Sequence, residues 1–382
     1  MKTKVSVLKC DSYDEKLVYN AVKKSLSDIN FKFKKNSTVL IKPNILSQNK
    51  PENYITTHPT ILDAICKILK ENNCKIIIGD SSGFYKEGGT KLAMKVSGIE
   101  EIAKKNKAEL IPFEEAEIKK IKDNNAKILK EINIAKPVLE ADLVINVPKL
   151  KTHSLMVFTG GVKNLLGTLP GGLKQKCHLI AKRDKEFGNL LLDIYQNIKP
   201  GLNIMDGVIG IEGEGPGTGG TPIKTGYILA SENAIALDIV AQRITGMNPE
   251  EIVTTRDAIK RGLFSNYNDV EIIGEFVTVP YKKPMRFIRK VPTFLKDIPF
   301  KQAIVFPYIN KEKCKKCMVC VDMCPTKTIK LRNNFVFIEK KGCINCYCCH
   351  ELCPYNAITM KSSMLIEIAG KVRDIILKKK KK

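Results

Sequence analysis

Near the end of the chain stands CKKCMVCVDMCP, residues 314–325, and a second run, CINCYCCHELCP, follows at 343–354. Both read C-x2-C-x2-C-x3-C-P, and the residues after each fourth cysteine also match, CPTKTIKL against CPYNAITM. Three thiols at a spacing of three residues on a tight loop can reach one polynuclear centre. The fourth, three residues further on and just before a proline, is directed to another. Residues 311–360 therefore form an internal repeat built around what their thiolates hold.

This spacing resembles that of bacterial-type ferredoxins, which hold cubane [4Fe–4S] clusters. By the same rule, Cys314, Cys317, Cys320 and Cys353 hold one cluster, and Cys343, Cys346, Cys349 and Cys324 hold a second. Cys348 falls off the register and reads as a packing thiol. Zinc sites use two cysteine pairs, not a three-plus-one pattern repeated with prolines. Two adjacent clusters suit the relay of single electrons and do not themselves make a substrate site.

The chain has thirteen cysteines. Those outside the motifs (Cys10, Cys66, Cys74, Cys177 and Cys348) show no disulfide framework, so a reducing compartment is expected. The first residues, MKTKVSVLKCDSYDEK, contain no apolar signal core, and no apolar run approaches the ~18 residues needed to cross a bilayer. The expected location is cytoplasmic. The formal net charge of +24 is spread along the chain, apart from the Lys378–Lys382 run. No recognition motif or aromatic stacking platform accompanies it, which argues against nucleic acid. Ahead of the run, apolar positions 365, 368, 372, 375 and 376 share one helical face. The stretch thus reads as a basic amphipathic tail able to touch an anionic membrane surface or an acidic partner.

The preceding residues alternate strand-like and helix-like segments. KVSVLKC, TVLIKPN, KIIIGD and LVINVP read as strands, while YDEKLVYNAVKKSLSDI and THPTILDAICKILKENN carry helical periodicity. In the latter, Thr57 is expected to cap the helix and Pro59 to sit in its first turn. Such alternation predicts an α/β fold, a large domain with a mainly parallel sheet, followed by a small α+β ferredoxin-like module. The expected division is 1–270 for the α/β domain, 271–310 for a proline-rich connector, 311–360 for the cluster module and 361–382 for the tail.

Polar clusters fall at predicted strand ends, where open α/β sheets place ligands. They are KPNIL (42–46), THP (57–59), GDSSG (79–83), PKLKTH (148–153), TGGVKNLLG (159–167) and DGVIGIEGEGPGTGG (206–220). Together these motifs resemble the family catalogued as domain of unknown function 362, over roughly residues 5 to 265. The resemblance implies this architecture and an iron–sulfur association, but carries no reaction.

The residues themselves suggest an anion cradle. Lys42, Lys149, Lys151 and Lys163 stand beside glycine or proline turns, and Asp80, Asn164 and Asp206 occupy the same loops. His153 is a candidate proton donor, with Lys163 beside it as the other candidate for catalysis. His178 is a second candidate for proton transfer, whereas His58 and His350 read as structural. Asp80, Asp206, Glu212 and Glu214 could also hold a divalent metal through oxygen. GEGPGTGG lacks the Gly-Lys-Ser/Thr ending of a phosphate-binding loop. The function expected is electron transfer to or from a small anionic ligand in the α/β domain, as a ferredoxin-linked oxidoreductase or its subunit. The alternative is a carrier whose large domain docks a redox partner protein. A cluster-delivery role ranks last, because coordination by eight cysteines opposes easy donation.

Overall fold

The computed structural model describes residues 2–285 and 305–361. The middle of the connector and the basic tail, with its expected amphipathic face, lie outside the described residues.

Each apolar strand run becomes a buried strand. The main sheet has ten strands, and its central path runs β12-β1-β11-β10-β7-β2-β3-β4. These are β1 (Thr3–Lys9), β2 (Thr38–Lys42), β3 (Lys75–Asp80), β4 (Glu109–Pro112), β7 (Leu143–Asn146), β10 (Leu202–Gly213), β11 (Gly220–Ser231) and β12 (Val270–Ile273). Off the path, β8 (Lys149–His153) pairs with β10 and with β9 (Val157–Thr159), and β5 (Ile118–Lys122) pairs separately with β6 (Glu131–Ala135). β11 runs antiparallel to both its neighbours, while every other pairing along the path is parallel. The expected mainly parallel α/β architecture is what the chain adopts.

Alternation along the strands serves two layers. Val39 and Ile41 of β2, with Ile76 and Ile78 of β3, face a core built on α1 (Glu15–Asp28) and α2 (Pro59–Glu71). Leu40 and Ile77 face the opposite core. There lie α8 (Asp184–Ile198), α9 (Ala234–Ile244) and α10 (Val253–Lys260). A fully buried aliphatic side chain contributes about 1.5–3 kcal/mol relative to exposure, so the alternation itself fixes the register. Shorter helices fill the connections: α3 (Gly89–Val96), α4 (Ile99–Asn106), α5 (Lys136–Glu140), α6 (Gly161–Asn164) and α7 (Leu173–Ile180).

Two local expectations are corrected. His58, not Thr57, caps α2: its Nδ1 accepts from Thr60 N at 3.3 Å, and Pro59 takes the first turn. Thr57 instead donates to Val147 O and accepts from Asn44 N, tying β2 to β7. The glycine-rich 206–220 stretch is mostly strand. Val208 and Ile211 are buried and β10 pairs with β11 as far as Gly213 and Gly220, leaving 214–219 as the turn.

The C-terminal module is small. β13 (Phe306–Ile309) pairs with β16 (Ile358–Lys361), and β14 (Ile329–Arg332) with β15 (Phe335–Ile338). β13 therefore lies inside the stretch read from sequence as connector. One-turn helices α11 (Val319–Asp322) and α12 (Cys348–Glu351) follow the second cysteine of each run. Among the described residues no helix is long and apolar enough to cross a membrane.

Candidate cluster sites and ligand pocket at the domain seam

The two cysteine loops share a backbone. Lys316 and Met318 in the first, and Asn345 and Tyr347 in the second, take left-handed φ values of 54°, 64°, 53° and 64°. Each sits at the same distance from its run's first cysteine. Alternation of left- and right-handed residues turns successive N–H groups inward, the concavity that suits an Fe–S site. A small cavity is lined by Cys314, Cys317, Cys320 and Cys353. Burial pushes the Cys320 thiol up to about 12, and Cys353, Cys317 and Cys314 add to the push. Burial likewise raises Cys349, with Cys346, Cys320, Cys343 and Cys324 as the contributing neighbours in that order. Cys353 of the second run thus lines a cavity with three thiols of the first, Cys324 of the first acts on Cys343 of the second, and such thiol-only donor sets fit a cubane cluster. Cys317 is exposed, whereas Cys324, Cys349 and Cys353 are buried.

A second cavity opens where the module meets the sheet. The α/β domain contributes Lys42, Asp80, Lys163, Asn164, Lys174 and His178, and the module contributes Met323, Cys348, Glu351 and Leu352. Lys42 and Asp80 end β2 and β3, neighbouring parallel strands, so the sheet itself brings them together. Lys42 Nζ lies 2.7 Å from Asp80 Oδ1, both 1% exposed. Asp80 also accepts from Ile45 N at 3.0 Å and Ser81 N at 2.9 Å. Burial raises the Asp80 carboxyl to about 6, a push that Lys42 opposes. Gly167 packs directly on this pair, where a Cβ would overlap the Asp80 carboxylate and crowd the Lys42 ammonium.

Lys163 is set in place by α6. Asp238 on α9 accepts from Gly161 N at 2.6 Å and Val162 N at 3.1 Å, and burial raises its carboxyl to about 7. Asn164 bridges Asn44, Pro43 O and Asn146, so it clamps loops and has no amide group spare for a ligand. Lys163 has no ion-pair or hydrogen-bond partner among the described residues, and burial lowers its pKa while Glu351 and Cys348 oppose the drop. Lys174 donates to Ser81 and to Leu169 O, and burial lowers it to about 8. His178 stacks on Phe187 at 4.3 Å, and burial keeps it neutral with a pKa of about 3.

His153 does not line this pocket. It is fully buried, and its Nδ1 accepts from Leu155 N and Met156 N. Its Nε2 faces Glu351 Oε1 at 3.1 Å, off the line of a good hydrogen bond. Burial holds it neutral, so it backs Glu351 and does not meet a ligand directly.

Lys149 and Asp206 belong elsewhere. They pair at 2.9 Å, with both side chains 0% exposed. Tyr13 bonds to both, and His58 stacks on its ring at 3.7 Å, closing the site from outside. Lys151 is spent on Asn44 Oδ1 and Ile55 O. Glu212 meets Lys282, and Glu214 meets Ser154 and Met285 N. The four acids considered as metal ligands are thus separately engaged, and the described residues hold no His/Cys/Asp/Glu group arranged for a single metal ion.

The turn between β10 and β11 docks the module. Thr218 donates to Cys353 O at 2.6 Å, and His350 Nε2 meets Glu214 O at 2.9 Å. A side chain at Gly217 or Gly219 would overlap Glu351 O or the His350 ring. Gly217 and Gly219 of GEGPGTGG permit this close approach. Gln175 adds a bond from α7 to Met323 O at 2.9 Å. Sequence reasoning missed Lys174, Gln175, Asp238 and Glu351. For the module the signal was available: where the first run has Val319 and Val321, the second has Cys348 and His350. Those departures from the repeat face the α/β domain.

Comparison with known proteins finds two family models on separate stretches of the chain. The family model "Domain of unknown function (DUF362)" matches residues 39–243, and a "4Fe-4S dicluster domain" model matches residues 306–354. A thylakoid-associated protein of Synechocystis is 30% identical over 308 residues, covering 78% of this chain and 91% of that protein. Among solved structures, the lactate racemase apoprotein of Thermoanaerobacterium thermosaccharolyticum aligns at 15% identity with a TM-score of 0.41. That alignment covers 65% of this chain and 58% of the racemase.

Proposed function

The chain belongs to the DUF362 family and carries a 4Fe–4S module of the electron-transfer kind, and from that premise we propose that it exchanges electrons with a small anionic ligand held in the seam pocket. The eight motif cysteines would hold two clusters in the exchanged sets given above. Loaded, they supply electrons one at a time. The observation that carries the proposal is the shared wall. Met323, Cys348 and Leu352 line the pocket and are the sequence neighbours of Cys324, Cys349 and Cys353. A ligand there lies against the backbone that holds these thiolates.

The remaining wall suits an anion. Lys163 offers an uncommitted ammonium, and Lys174 adds a second charge, held by Ser81 and Leu169 O and faced by Glu114 Oε1 at 3.9 Å. Lys42 is neutralised by Asp80 and orders the floor. His178 is neutral at physiological pH, leaving the cationic part to the lysines. His153 stands behind Glu351, its Nε2 3.1 Å from Glu351 Oε1.

The pH dependence follows from two of these groups. Lys174 loses its charge as pH rises through about 8, so anion affinity should fall there. Asp80 loses its charge as pH falls through about 6, so affinity should rise on the acid side. Titration calorimetry of the anaerobic protein with small carboxylates and inorganic phosphate, between about pH 5 and pH 9, measures this. No binding of any such anion by the wild type, or a flat profile, would count against the pocket as an anion site.

A further inference from the structure

The two sets of cysteines differ in their access to solvent, and the accessible one has a distinctive surround. Cys317 is exposed, and the cavity it lines with Cys314 is rimmed by Lys315, Lys316 and Tyr355. Lys311 and Lys313 stand just before it, and of the segment 311–317 only Glu312 is acidic. All four lysines are exposed. A loaded cluster with four thiolates carries about −2, which leaves this rim positive. Beside it stand exposed apolar side chains: Tyr355 is 47% exposed, Phe335 49% and Leu331 48%. Lys311 Nζ lies 4.5 Å over the Phe335 ring, and Lys361 Nζ lies 3.7 Å over Tyr308. These aromatic rings are thus held in place by cations.

We propose that this face is the docking surface for an acidic one-electron carrier protein, which exchanges one electron with the module through the cluster held by Cys317. The inference is separate from the seam pocket, whose module wall is formed by the neighbours of Cys324, Cys349 and Cys353. Three observations favour an acidic protein: the basic rim, the aromatic patch of the kind that fills protein interfaces, and an exposed thiolate at the centre. Nucleic acid or an anionic membrane would use the charge but has no use for access to Cys317. Charge complementarity of this sort acts mainly on encounter and is salt-dependent.

The test uses the full, iron-loaded chain and a purified acidic flavodoxin as probe, with a basic cytochrome as control. Binding is measured by biolayer interferometry across a salt series, and electron exchange by stopped flow. The expected result is flavodoxin binding that weakens with salt and drops about tenfold or more in the Lys315→Glu, Lys316→Glu double variant. The Lys315→Gln, Lys316→Gln variant should fall between that variant and wild type. Iron content and reduction by dithionite should stay at wild-type level in both. Lys95→Glu, exposed on α3, should bind as wild type does. Equal binding by wild type and the double Glu variant would overturn the proposal. So would an equal loss in Lys95→Glu, a preference for the basic cytochrome, or rim-dependent binding of anionic vesicles or RNA without flavodoxin binding.

Discussion

Replacing Cys324 by serine should strip iron from the site of the distant 343–349 loop while leaving the 314–320 site loaded. The thiols that act on Cys343 are Cys346 and Cys324, whereas Cys320 is surrounded by Cys353, Cys317 and Cys314. A fourth ligand taken from the other run is what the Cys-Pro spacing demands. Cys353→Ser should have the mirror effect, and Cys348→Ser should leave both sites loaded. Iron analysis with EPR of the reduced protein reads all three. About eight iron atoms per wild-type chain should fall to about four in Cys324→Ser and Cys353→Ser, and remain about eight in Cys348→Ser. A cluster lost with Cys348 but kept with Cys349→Ser would show that the register is displaced by one residue.

Asp80→Ala should be the most damaging single change in the pocket floor. It strands the Lys42 ammonium, 1% exposed, and leaves the Ile45 amide without its acceptor, while Ser81 N keeps Gly167 O at 3.2 Å. Breaking a buried ion pair by removing one partner costs about 3–5 kcal/mol. A urea midpoint measured on the anaerobic, iron-loaded protein should fall accordingly. Adding Lys42→Met should recover part of that loss, because the stranded charge goes while the Ile45 amide remains unpaired. A midpoint within error of wild type for Asp80→Ala would mean that the pair is not formed in solution.

Much of this arrangement was legible because it depends on local spacing. Strand runs such as TVLIK and KIIIGD end on Lys42 and Asp80, and adjacent parallel strands must bring such ends together. The cysteine repeat needed only counting. Lys149 and Asp206 show where the reasoning stopped. Both read as strand ends, but Lys149 opens β8 and Asp206 lies inside β10; Tyr13 and His58 close over them, and no spacing rule reports a stacked ring from another loop. His153 was drawn to the pocket by its neighbours in sequence, yet its imidazole points to Glu351 from the far module. Glu351 and Lys174 were invisible for the same reason: the pocket is made by docking two modules, and docking leaves its trace in the glycines of 214–219 and in the uneven repeat.

The central claim is that the pocket ligand and the module exchange electrons. It is tested most directly by reoxidation of the dithionite-reduced protein with reducible small anions, wild type beside Lys163→Ala. Lys163 is uncommitted and lies outside the cysteine loops, so iron content and EPR signals should be the same in both. The account predicts at least one anion that reoxidises the wild type with saturation and does so about tenfold or more slowly in Lys163→Ala. Equal rates in the two proteins for every anion that reacts, or no reactive anion while a carrier protein reoxidises both alike, would contradict it.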